Sequence, residues 1–182
     1  MIEHLLSRAS TGNLNEPGPD EAALRLILEA AVRAPDHGKL RPWRFHVVRG
    51  EARRRLSDLF VECFLRREPN SSPAQIEKER GKPLRAPLTV MVVAKVVEGH
   101  KVPVIEQVVS AGAAAMNILN AAHALGYGAK WVTGANCYDP FFLGKMGLDP
   151  ADQVVGFIQI GSISETVEAP RPDAMSFAVE FR

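Results

Sequence analysis

Residues 33–48 read Arg33-Ala34-Pro35-Asp36-His37-Gly38-Lys39-Leu40-Arg41-Pro42-Trp43-Arg44-Phe45-His46-Val47-Val48, and the parsing of this stretch decides the organisation of the chain around it. Upstream, Leu24, Ile27, Leu28 and Ala31 recur at helical spacing. A helix therefore runs into the stretch, with Arg33 where a cation suits a last turn. Downstream, residues 43–49 alternate, with Phe45 and Val47 on one side, and stop at Gly50, the pattern of a strand. Between them Pro35 and Pro42 fix φ and bias the residues before them away from helix. His37, Lys39 and Arg41 supply three side chains that donate hydrogen bonds to an anion or a carbonyl. By residue chemistry alone this is a stiff, basic helix-to-strand connection, and the bland account of its cations is that water solvates them.

Working outward, residues 2–7 form a short, half-apolar helix that leaves Arg8 and Ser10 at its C-terminal edge. Residues 15–19 are a breaker cluster, after which Pro19 serves as a first-turn proline with Asp20 and Glu21 complementing the helix dipole. Beyond Gly50 a helix carries Leu56, Leu59, Phe60, Cys63 and Phe64 on one stripe. A polar, proline-bearing loop follows at 68–73, then a short charged helix at 75–82 that faces water. Residues 87–94 are a β-rich run bounded by proline, the signature of a strand covered on both sides. The long helix predicted over 103–125, stopped by Gly126, is small and apolar nearly all round through Ser110, Ala111, Gly112, Ala113, Ala114 and Ala115, which places it centrally or at a subunit interface. His123 on it reads as a satisfied core histidine, since no second ligand stands at helical spacing. Residues 121–126 end a helix instead of opening one, so they are not a dinucleotide fingerprint. Strands are expected at 129–133 and 154–160, with Asp139 capping a helix between them. From Ser162 the chain turns polar and proline-containing, a tail that is frayed or laid over a partner. Strands interleaved with helices define one sheet layer flanked by helices.

With 182 residues, 46% of them hydrophobic, the chain suits a single domain spanning 1–182. A net charge of +1 is not that of a nucleic-acid binder. Cys63 and Cys137 have neither metal-like nor redox-pair spacing and fit a reduced, cytoplasmic protein. Cys63 lies on an apolar stripe without a basic partner, which makes it core and not a nucleophile. No segment approaches the ~20 apolar residues of a membrane helix, and the first residues lack the cations of a signal peptide.

Arg-Ala-Pro-Asp-His followed by Arg-Pro-Trp-Arg-Phe-His-Val-Val resembles the first flavin loop of the FMN-dependent nitroreductase family, above all its short bacterial members. That loop is usually Arg-Ala-Pro-Ser, a short variable piece, Asn, then Gln-Pro-Trp and a strand. Two further segments agree in family order: Ser7-Arg8-Ala9-Ser10 is similar to the family's Arg-Arg-Ser, and residues 126–134, Gly-Tyr-Gly-Ala-Lys-Trp-Val-Thr-Gly, to its Gly-x-Gly-x-x-Trp strand. The resemblance implies an α+β nitroreductase-like fold with a central mixed sheet flanked by helices, in a homodimer with its flavins at the subunit interface and a tail from about residue 162 wrapping the partner. It also implies FMN as cofactor and NADH or NADPH as co-substrate.

Residue by residue, the resemblance makes Arg8, Ala9 and Ser10 the contacts for phosphate and ribityl groups. Arg33, Pro35, His37 and Lys39 belong to the loop that holds the flavin, His37 being offered across the interface. Trp131, Val132 and Thr133 form the strand lying against the ring. Guanidinium suits phosphate by bidentate bonding, and charge near N1 stabilises a reduced flavin. Ala9 replaces the family's second arginine, Lys39 its loop asparagine and Arg41 its glutamine. Ala9 thus retains only a backbone amide, whereas Lys39 gains a charge able to tune the reduced ring. Arg171 is the nearby C-terminal candidate for the phosphate, and His100 and Lys101 carry no assigned role. The implied reaction is ping-pong transfer of a hydride from NAD(P)H through FMN to a nitroaromatic, a quinone or a similar small acceptor, with no protein acid or base required. The larger relatives cover their flavin with additional middle helices for which this chain has little room, so a flavin-storing protein with little turnover is the rival reading. A cofactor-free α/β interaction domain is the third.

Overall fold

A computed structural model describes residues 2–165, 167 and 169–181. Its main elements are α1 (Ile2–Ser7), α2 (Glu21–Ala31), β1 (Trp43–Arg49), α3 (Glu51–Arg67), α4 (Pro73–Gly81), β2 (Leu88–Ala94), α5 (Val104–Ala124), β3 (Gly128–Val132), α6 (Pro140–Lys145) and β4 (Gln153–Gly161). The four strands form one sheet in the order β1-β2-β4-β3. All three ladders are antiparallel, which corrects the expected mixed sheet. Among the described residues the parallel pairing is the single bridge between Ser10 and Ala129. The reason lies in the connections. The α3–α4 pair returns the chain to the end of the sheet it left, so β2 opposes β1. α5 does carry a crossover between β2 and β3, which run the same way, but β4 inserts between them and pairs against both.

β2 is buried along its whole length, as a strand covered on both faces must be. Leu88, Val90, Val92 and Ala94 join α2 and α5 in one core, while Met91 and Val93 join α3 and α6 in the other. The small residues of α5 do what their size allows: Ala111, Ala114 and Ala115 are fully buried, letting the helix backbone approach the sheet. In the second core the rings of Phe60, Phe142 and Phe157 meet edge to face, with centroids 5.4–6.0 Å apart, a favoured aromatic geometry. Cys63 and Cys137 are free and buried. Burial pushes both thiols up, away from the reactive thiolate.

Two local expectations shift by a residue or two. Asp20, not Pro19, begins α2: its carboxylate accepts from the Ala23 N–H at 2.8 Å, a stronger N-terminal device than a first-turn proline. α4 opens on a capping box in which Ser72 and Gln75 satisfy each other's backbone, so this charged helix has a defined start. No helix among the described residues is long and apolar enough to cross a membrane.

Candidate active site

β3 is an edge strand, and two cavities lie beside it. Its outer edge is tied at one point among the described residues, where Thr11 donates its N–H to the Ala129 carbonyl (3.2 Å) beside the Ser10 bridge. That tie leaves the segment after α1 lying against the start of the strand. Here a cavity of roughly 520 Å³ is lined by Ser7, Arg8, Ala9, His123, Ala129 and Arg171, among others. Arg8 Nε and Nη1 are buried and have no hydrogen-bond partner. Burial, and then the charge of Arg171, lower the Arg8 pKa. Arg171 is close enough to donate to the Arg8 carbonyl. Two buried guanidinium donors without a partner, beside a second guanidinium, suit an anion, because orphaned buried donors are costly; Glu165 lines the same cavity. His123 completes one wall, held by Ser7 Oγ at 3.0 Å, and its ring meets that of His4 edge-on with centroids 6.1 Å apart. Burial chiefly, then the charges of His4 and Arg8, push the His123 pKa down.

Further along β3 the side chains alternate between faces. Trp131 turns toward the α5 side and packs on β4, its indole N–H donating to the Val155 carbonyl at 3.2 Å. The register slips beside Val155, and Gly156 makes room for the ring, since a Cβ there would stand 2.2 Å from Trp131 Nε1. Val132 and Thr133 instead line a second cavity of roughly 430 Å³ between the sheet, α3 and the turn after α4. Phe60, Phe64 and Phe157 give it aromatic walls. Around them lie Lys82, paired with Glu79, Gln159, bonded to the Lys82 carbonyl at 2.8 Å, and Asn136, which accepts from Arg67 at 2.7 Å. Thr89 lines the same cavity, and its buried hydroxyl lacks a partner.

The loop of residues 33–41 belongs to neither cavity. Arg33, Pro35, His37 and Lys39 are exposed, and Pro35 and His37 border a shallow recess against α5. Within one chain the structure therefore brings Arg8 and Ala9 together with Arg171, puts Ser10 on the edge of β3, and places Val132 and Thr133 at the second cavity. It does not bring the loop to them. His100 accepts from the Val102 N–H (3.0 Å), and Lys101 is exposed. Lys82, Thr89, Gln159 and Asn136 were missed by sequence reasoning. Thr89 and Gln159 stand out as polar residues within mostly apolar strands, the one signal that could have found them.

An antiparallel sheet flanked by helices on both faces defines an α+β protein, and two buried, unpartnered nitrogens of Arg8 stand beside its edge strand. Comparison with known proteins makes the class specific. Residues 5–162 match the Nitroreductase family; the chain belongs to that family of oxidoreductases. It is 39% identical over 175 residues to "Putative NAD(P)H nitroreductase YdjA" of Escherichia coli (strain K12), covering 94% of each chain. It is 34% identical over 165 residues to "Putative NAD(P)H nitroreductase" of Haemophilus influenzae, covering 90% of this chain and 89% of that one. The nitroreductase-like family protein of Bacillus cereus superposes with a TM-score of 0.85 at 22% identity, over 100% of this chain and 95% of that one. The nitroreductase with bound FMN from Bacteroides fragilis does so with a TM-score of 0.73 at 19% identity, over 99% and 98%.

Proposed function

We propose that two copies of this chain bind FMN at their interface and use it to carry a hydride from NADH or NADPH to a nitroaromatic, quinone or similar small acceptor. The observation that carries the reading is the pair of buried, unpartnered guanidinium nitrogens of Arg8 with Arg171 beside them, a donor set that fits a phosphate dianion. Ser10 and the Ala9 amide meet the ribityl end. The free edge of β3 at Trp131, Val132 and Thr133 meets the ring, with the aromatic walls of the second cavity and the polar groups of Lys82, Gln159 and Thr89 beside it. FMN, when bound, supplies the two-electron chemistry at its N5. The protein's part is to grip the phosphate, orient the ring against β3, and keep water from one face.

The loop carrying Arg33, Pro35, His37 and Lys39 reaches this site from the second copy, with Lys39 adding positive charge near the pyrimidine edge. Two features support association. Ile105, Val109 and Met116 form an exposed apolar stripe on α5, a helix otherwise in the core, and stripes of this kind mark contact surfaces. In the tail, Phe177, Val179 and Phe181 alternate at 73%, 94% and 103% exposure, apolar groups that a partner subunit would cover.

The test is the visible spectrum of purified protein followed by stopped-flow mixing with NADPH and NADH. A yellow protein whose flavin absorbance bleaches within the dead time or seconds is expected. Colourless protein that takes up no FMN overturns the reading, and bound FMN that neither nucleotide bleaches makes the chain a flavin store.

A further inference from the structure

α5 holds the loop of residues 33–41 at two points one helical turn apart. Ser110 Oγ donates to the Pro35 carbonyl at 2.6 Å, and Glu106 Oε2 lies 2.5 Å from His37 Nδ1. The loop between and beyond these points has little freedom of its own. Gly38, Lys39 and Arg41 have φ of 72°, 55° and 49°, a region that residues with a side chain rarely occupy and that is found where surroundings over-determine the backbone. Asp36 accepts from the Arg41 N–H at 2.8 Å, and a Cβ on Gly38 would come within 3.1 Å of Val102. His37 is therefore presented on a rigid support.

A carboxylate only accepts hydrogen bonds, so the contact puts a hydrogen on Nδ1. Nε2 is left as the ring nitrogen free for a ligand: an acceptor while the imidazole is neutral, a donor when it is protonated. Glu106 fixes the ring's orientation in both states. A folding role does not account for the pair, because the two side chains keep 64% and 45% exposure and exposed ion pairs contribute little to stability. His37 lines neither cavity beside β3 of its own chain but a shallow recess on the outer side of α5, so in the flavin reading the ligand it serves sits on another copy.

We infer that Glu106 is a positioning residue for His37, locking the imidazole so that Nε2 is the atom offered across the interface to FMN bound by the other subunit. The inference rests on the flavin reading above and adds to it a residue and an atom. It is tested with Glu106→Gln, Glu106→Leu and His37→Gln in the full chain. In protein free of FMN, long-range proton–nitrogen correlation spectra are expected to show His37, identified by its disappearance in His37→Gln, as the Nδ1–H tautomer. In Glu106→Leu that signal moves toward the Nε2–H form, while the melting temperature stays at the wild-type value. FMN affinity is expected to fall about tenfold in Glu106→Leu, the size of one lost oriented hydrogen bond, and to stay near the wild-type value in Glu106→Gln, whose amide oxygen still accepts from Nδ1–H. Glu106→Leu combined with His37→Gln binds no more weakly than His37→Gln alone, because the two residues act as a unit. An unchanged tautomer, or losses of affinity that add in the double variant, overturns the inference. FMN affinity indifferent to both residues overturns it alone and leaves the flavin reading standing, whereas wild-type protein that shows the tautomer but takes up no FMN overturns both.

Discussion

Arg8→Ala separates the ligand-binding role of this guanidinium from a structural one because the two roles predict opposite signs. Arg8 Nε and Nη1 are buried and unpartnered in the protein without ligand. Each would make a charge-assisted hydrogen bond to a phosphate oxygen, worth ~1.5–3 kcal/mol. Losing two of them costs roughly 3–6 kcal/mol of binding, or about a hundredfold to ten-thousandfold in Kd at ~1.4 kcal/mol per decade. In the ligand-free protein the same substitution removes two unsatisfied donors, each a burden of about 1–3 kcal/mol, and gives up some packing. The empty variant is therefore expected to melt at the wild-type temperature or up to a few degrees above it, since ~1 kcal/mol moves a domain of this size by about 2–4 °C. Arg8→Lys keeps the charge and loses the planar fork, so its affinity falls between the two. The assays are titration of apoprotein with FMN, followed by quenching of flavin fluorescence, and thermal unfolding without FMN. A Kd within twofold of wild type would refute the phosphate assignment. An empty Arg8→Ala protein that melts well below wild type would show that the guanidinium serves the fold.

Thr89→Val removes a buried hydroxyl that has no partner and is expected to raise the stability of the ligand-free protein by about 1 kcal/mol, read by denaturant unfolding; a loss of stability would show that the hydroxyl is satisfied after all. Ile105→Glu and Val109→Glu each put a charge on the apolar stripe of α5 and are expected to weaken self-association by roughly a hundredfold or more, giving monomers at micromolar concentration by light scattering. Removal of residues 173–182 takes away the exposed Phe177, Val179 and Phe181 and is expected to have the same effect; a wild-type protein already monomeric at those concentrations would refute both. Burial lowers the His46 pKa, and burial with the charges of His4 and Arg8 lowers that of His123. The unfolded chain then takes up these protons at higher pH than the folded one, so stability is lost as pH falls through the ordinary histidine range near ~6.5. The FMN-free protein is expected to melt higher at pH 7.5 than at pH 5.5, and His46→Gln to flatten that dependence.

The strand that opens the chain's organisation was legible to the residue. Pro42 and Gly50 bracket β1 at Trp43 and Arg49, because a proline and a glycine act locally and need no tertiary help. α5 was legible to within a residue at each end, a run of small residues and Gly126 defining a buried helix and its stop. The sheet was not legible, because whether β4 pairs between β2 and β3 is settled by packing across the whole chain, and local alternation carries no information about it. The N-terminus of α2 shows a local contest: Pro19 and Asp20 are both starting signals, and the side chain that can satisfy a backbone N–H prevailed.

For the site, kinship to the family pointed to Arg8, Val132 and Thr133, and the structure puts them at cavities. Trp131 came with the same segment, yet its side chain belongs to the opposite face, as strand alternation requires. Lys82, Thr89 and Gln159 come from three elements that meet only after folding. Glu106 stands 69 positions from His37, beyond any spacing rule. Ser7 to His123 spans 116 positions, and the cavity they share is equally invisible along the chain.

A site divided between two places on one chain, as proposed, has a thermodynamic consequence. In the proposed dimer, the contact that covers Ile105, Val109 and Met116 also carries the loop of His37 and Lys39 to the cavity of Arg8, so association and cofactor binding draw on one set of contacts. A ligand that prefers the paired state must strengthen pairing by the same factor by which pairing strengthens its own binding. FMN should then tighten the dimer, and dilution should release FMN. The Ile105→Glu monomer, with its Arg8 guanidinium intact, should bind FMN nearly as poorly as a protein that lacks His37 and Lys39.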